Sequence, residues 1–98
     1  MQCIPMTKIE WSPSAEMQLD EILKFYTRRN GSSRYSKRLK KEIWKILRII
    51  HKNPYFGKLV PGYENRRRFS IGNFVLAYER VDGLVRICSF RDGRRDEE

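Results

Sequence analysis

Thiols and imidazoles are scarce in this chain: Cys3 and Cys88 stand apart, and His51 is the single histidine. Two isolated cysteines without CxxC spacing and one histidine neither form a disulfide framework nor complete a zinc site, so no metal and no cofactor is expected. Long apolar runs are missing too. No stretch approaches the roughly 20 residues that span a bilayer, and residues 1–5 lack the charged and apolar regions of a signal peptide. The expected location is cytoplasmic, with no membrane partner. Acid is in short supply, with 12 Asp and Glu against 21 Lys and Arg, a formal charge of +9. That imbalance favours a polyanionic or acidic partner, because clustered cations release counterions from phosphate backbones and attract carboxylates equally well. Neither an internal repeat nor a Pro-rich linker divides the chain. Its length suits one modest core, so a single domain over residues 1–98 is expected, with 1–6 an extension and 91–98 a tail of mixed charge. Met6 stands just before the first patterned segment and is an alternative start to Met1.

Lys8-Ile9-Glu10-Trp11 alternates polar and apolar side chains, which predicts a short half-buried strand. Ser12-Pro13 ends it and opens a helix, since a serine hydroxyl caps free N–H groups and proline suits the first helical position. Ala15, Leu19, Ile22, Leu23 and Tyr26 then fall on one stripe, with Glu16, Asp20 and Glu21 near the positive helix end. Asn30-Gly31-Ser32-Ser33 breaks the pattern, Gly31 as a left-handed cap and either serine as the next N-cap. A second helix is predicted to about residue 51, on the stripe Tyr35, Leu39, Ile43, Ile46, Leu47 and Ile50. Residues 28–58 hold eleven Lys or Arg against Glu42 alone, so positive charge is concentrated on this hairpin. Trp44 falls off the apolar stripe, among Lys41, Lys45 and Arg48, where it either packs under Tyr55-Phe56 or serves as an exposed anchor.

Residues 54–62, with two prolines and two glycines, read as a surface loop. The period then changes to two. Arg67, Phe69 and Ile71 share one face of a strand, Gly72-Asn73 turns the chain, Phe74, Leu76 and Tyr78 alternate on the return, and Asp82-Gly83 starts a last strand. The resulting expectation is an α+β fold: an N-terminal strand, a helical hairpin and a three-stranded antiparallel meander. Ile9, Trp11, Leu19, Ile22, Leu39, Ile43, Leu47, Phe69, Ile71, Leu76 and Tyr78 should meet in one core.

Trp11-Ser12-Pro13-Ser14-Ala15, Asn53-Pro54-Tyr55-Phe56-Gly57, the run from Arg67 to Phe74, the Tyr78 strand and Asp92-Gly93-Arg94-Arg95 occur in an order and spacing that resembles the RelE/ParE superfamily of toxins from type II toxin–antitoxin systems. The resemblance covers about residues 8–95. It implies that the N-terminal strand joins the meander in one twisted, mostly antiparallel sheet, that the helical hairpin packs on this sheet, and that a cognate antitoxin wraps and blocks the protein. It leaves two targets open: DNA gyrase, poisoned by ParE-like members, or the ribosome, where RelE-like endoribonucleases cut messenger RNA.

Cleavage of RNA needs groups that move protons as well as cations that stabilise the phosphate. Cations are plentiful. Arg67 lies where the family carries a sheet arginine, and Lys52, Lys58, Arg66, Arg68, Arg91, Arg94 and Arg95 are candidates for nucleic acid or target binding. Lys41, Trp44, Lys45 and Arg48 are candidates for antitoxin binding. The Tyr or His that RelE-like tails offer is missing; Asp92 stands about where it would be, and His51 ends the second helix. Arg67, Asp92 and His51 are therefore the catalytic candidates. An acid between arginines is also a natural salt-bridge partner, and a histidine at a helix C-terminus a natural dipole partner. The balance leans to ParE-like gyrase inhibition, with the ribosome-dependent endoribonuclease as the alternative. A non-toxic basic RNA-binding module would explain the charge but not the family pattern.

Overall fold

A computed structural model describes residues 8–53, 55–81 and 83–93. Strand β1 (Lys8–Trp11) leads into helices α1 (Pro13–Asn30) and α2 (Arg34–Lys52), followed by strands β2 (Lys58–Leu59), β3 (Arg66–Ile71), β4 (Phe74–Val81) and β5 (Leu84–Asp92). The five strands form one sheet in the order β1-β5-β4-β3-β2. β1 runs parallel to β5, and every other pair is antiparallel. No helix among the described residues is long and apolar enough to cross a membrane.

Local signals set the helix ends. Ser12 Oγ accepts the Ala15 N–H at 3.0 Å with Pro13 behind it, and Gly31 closes α1 at φ 71°, the left-handed region that glycine enters without steric cost. The expected serine cap of α2 is not made. Ser33 holds the cap position but bonds no N–H through its side chain, and Ser32 Oγ instead accepts the Arg34 N–H at 3.4 Å.

Periodicity placed the core. Leu39, Ile43, Leu47 and Ile50 form the buried stripe of α2 and pack against Ile71, Phe74, Leu76 and Tyr78 of the meander. Ile9, Trp11, Leu19, Ile22 and Phe69 are half-buried at the margin of this cluster rather than at its centre. β5 supplies the residues that the expectation missed: Val85, Ile87 and Phe90 are fully buried. Their period is broken because the register between β4 and β5 shifts at Ala77/Tyr78, where Ala77 faces Ser89 and Tyr78 faces Ile87, leaving Cys88 as the extra residue of a bulge. One buried polar contact joins the helices. Ser36 Oγ donates to the Leu23 carbonyl at 3.0 Å and lies 2.7 Å from Thr27 Oγ1, so small hydroxyls satisfy each other where α1 and α2 approach.

The loop reading of residues 54–62 needs one correction, because Lys58 and Leu59 pair with Arg68 and Arg67 as a fifth strand. Two residues are too few to show a period.

Ile43 is 3% exposed and Met17 61%. Ile43→Ala should therefore cost about 2 to 5 kcal/mol in urea unfolding, and Met17→Ala no more than about 0.5 kcal/mol. Equal costs would contradict the helix phases.

Candidate functional site

Arg67 and Tyr78 are direct cross-strand partners on the helix-facing side of the sheet. Together they hold three successive loop carbonyls. Arg67 Nη1 donates to the carbonyls of Tyr55 (3.2 Å) and Gly57 (3.0 Å), and Tyr78 Oη donates to that of Phe56 (2.7 Å). The Arg67 guanidinium also lies over the Tyr55 ring, 5.3 Å from its centroid. Backbone carbonyls near a core need donors, and the sheet supplies them here. Arg67, a catalytic candidate by sequence, is thus committed to shaping the loop. Burial raises the Tyr78 phenol above the ordinary tyrosine value, and the Arg67 and Arg80 guanidiniums, which favour the phenolate, do not cancel it.

The opposite sheet face is divided by charge. At one end the strand register lines up Glu10, Arg86, Glu79 and Arg66 across β1, β5, β4 and β3, a row of alternating sign. Arg66 Nη2 and Nε reach Glu79 Oε2 at 2.7 and 3.0 Å, and Arg86 stands 3.9 Å from Glu10. The Arg66 guanidinium also stacks 4.1 Å from the Tyr63 ring centroid. Arg66 is therefore neutralised in place, and its hydrogen bond to Glu79 raises its already high pKa. Burial pushes the nearby Cys88 thiol up, away from the thiolate a nucleophile needs.

The other end of this face is cationic. Lys58 and Arg68 are cross-strand partners, and Ser70, Val75 and Arg91 form a row across β3, β4 and β5. Lys58, Arg68, Ser70 and Val75 bound a cleft of about 600 Å³, lined also by Gly57 and Gly93. Its two glycines are sterically required. A Cβ on Gly57, at φ 92°, would meet the Arg68 carbonyl oxygen at 2.7 Å, and one on Gly93 would meet Val75 Cγ2 at 2.9 Å. The spacing of the sequence carried no sign of this cleft, which comes from strand register.

The remaining candidates lie elsewhere. His51 and Lys52 line a groove of about 290 Å³ with Trp44, Arg48, Leu47 and Ile9. Asp92 lines a third cleft beside α1, with Glu21, Tyr26, Phe74, Phe90 and Arg91. Ile9 pairs with Val85, seven residues before Asp92 on β5, so His51 and Asp92 are separated by roughly 20 Å of strand. No described imidazole, carboxyl or phenol joins Lys58 and Arg68 in their cleft. Trp44 is 61% exposed, so it does not pack under the loop, and Lys41, Lys45 and Arg48 are exposed around it. Arg94 and Arg95 lie outside the described residues.

Comparison with known proteins bears on the family and the fold. The family described as the ParE toxin of type II toxin–antitoxin systems, parDE, matches residues 9–97. No curated protein sequence matches the chain. Among solved structures, the chromosomal ParDE system from P. aeruginosa superimposes with a TM-score of 0.70 at 16% identity, covering 89% of this chain and 96% of that one. The YoeB dimer from Staphylococcus aureus superimposes with a TM-score of 0.65 at 20% identity, covering 89% and 97%. At these identities the two structures speak for the fold.

Tyr78→Phe removes the donor to the Phe56 carbonyl and should cost about 1 to 2 kcal/mol. The raised phenol pKa adds a sign. Its stabilisation is complete below about pH 10, the free tyrosine value, and is lost as pH climbs through the raised value. Urea unfolding between neutral and strongly alkaline pH should therefore show a steeper alkaline loss in the parent than in Tyr78→Phe; parallel curves would refute it.

Proposed function

The chain belongs to the ParE toxin family of type II toxin–antitoxin systems, and from that premise we propose that it arrests growth by a binding mechanism of the gyrase-poisoning kind until a cognate antitoxin covers it. The observation that carries the proposal is the composition of the cationic cleft. Lys58 and Arg68 offer charge for holding a target, while the side chains suited to proton transfer stand on other surfaces: His51 in the Trp44 groove and Asp92 against α1. Phosphate can be gripped without cleavage by such a site, since losing a general acid or base costs roughly 10²- to 10⁴-fold in rate.

The antitoxin surface is a second, separate region. Lys41, Lys45 and Arg48 surround exposed Trp44 on the outer side of α2, and a large aromatic ringed by like charge is a natural anchor for an acidic chain. This surface belongs to the helix layer, whereas Lys58 and Arg68 belong to the opposite side of the sheet. An antitoxin seated on Trp44 must pass around a sheet edge to mask the cleft directly.

Uncontrolled expression in bacteria should arrest growth, and co-expression of the antitoxin should restore it. The purified protein should inhibit gyrase supercoiling or trap gyrase on DNA while messenger RNA on programmed ribosomes stays intact. Codon-dependent cleavage in the ribosomal A site would reject gyrase poisoning for the endoribonuclease reading. The double variant Lys58→Glu/Arg68→Glu should abolish toxicity with little change in unfolding midpoint, whereas Arg67→Ala should lower both toxicity and stability.

A further inference from the structure

β2 is an edge strand with no neighbour on its outer side among the described residues. Its backbone orientation follows from the hydrogen bonds to β3. The Val60 N–H donates to the Arg66 carbonyl at 2.8 Å, and donors and acceptors alternate sides along an extended chain. Leu59 therefore directs its own N–H and C=O outward. Side chains alternate too. Lys58, opposite Arg68, lies on the cationic open face, while Leu59, opposite Arg67, lies on the helix-facing side and is 48% exposed.

We propose that the outer edge of β2 docks an extended polypeptide whose acidic and apolar side chains alternate. Such a chain adds as a sixth strand through the Leu59 N–H and C=O. Its period of two sends one set of side chains to each sheet face. Carboxylates then meet Lys58 and Arg68, and apolar side chains cover Leu59. Charge complementarity selects this occupant over a neutral strand, and the exposed backbone pair of Leu59 selects a polypeptide over a nucleic acid. A short edge bearing lysine is also a common defence against unwanted pairing, so the test must separate docking from defence. The proposal concerns this edge alone and holds whether or not the chain poisons gyrase.

The full-length protein is titrated with two short synthetic peptides of identical composition, one alternating Asp and Leu, the other carrying them in separate blocks. The alternating peptide should bind at least about tenfold more tightly, the equivalent of about 1.4 kcal/mol, and should slow hydrogen exchange at the Leu59 amide. Lys58→Glu/Arg68→Glu should weaken it by roughly tenfold, as expected for reversing two partly exposed charges. A third peptide, N-methylated at alternate positions so that it cannot pair with the edge, tests the same point on the unaltered protein and should also bind roughly tenfold more weakly. Equal affinity for alternating and blocked peptides, slowed exchange on α2 in place of Leu59, or a single-stranded oligonucleotide that displaces the alternating peptide from Leu59 would each overturn the proposal.

Discussion

Burial of the α2 apolar stripe against the centre of the sheet is the contact on which the rest of this molecule depends. A domain this small has one core, and Leu39, Ile43, Leu47 and Ile50 meet Leu76, Tyr78, Val85, Ile87 and Phe90 there. Once that face of α2 is committed, its eight Lys and Arg must point to water. The helix propensity of a chain so dense in like charge is weak support by itself, because cations spaced three or four apart repel. Packing overrides the repulsion, and the exposed cationic face follows from the buried one.

The sheet repeats this logic with a different result on each side. Toward the helices, Arg67 and Tyr78 reach the edge of the core, and the donors they carry are used on the carbonyls of Tyr55, Phe56 and Gly57. That grip fixes the path of the loop just before Lys58 and so helps to shape the cationic cleft from behind. On the open side, cross-strand register sorts residues of similar type into different circumstances. Arg66 falls opposite Glu79 and is neutralised, while Arg68, two residues on, falls opposite Ala77 and Lys58 and remains part of a positive surface. Adjacent arginines of the same triplet thus have three different tasks, set by their neighbours.

The division between the surfaces has a functional consequence. Under the proposed function the antitoxin and the target take different faces, and this fold offers two cationic ones on opposite sides of one sheet. Trp44 marks the helix side and Lys58 with Arg68 the strand side. The sheet edges, β1 beside the Trp44 groove and β2 beside the cleft, are the routes between the two.

Periodicity and turn chemistry determined much of this protein before any tertiary contact forms. The caps at Ser12 and Gly31, the phase of α2, the inward set of β3 and β4 and the family order all rest on local spacing, which a chain carries in itself. Local spacing also exposed what was missing, a tail without an imidazole or phenol. It could not show the two-residue strand β2, the bulge at Cys88 that moved Phe90 inward, or the loop-holding task of Arg67, because each exists only when distant segments pair. Nor could it show that His51 and Asp92 sit far apart. Which arginine of the triplet faces a carboxylate, which holds the loop and which faces Lys58 was decided by register, since a charge acquires its role from what stands opposite it.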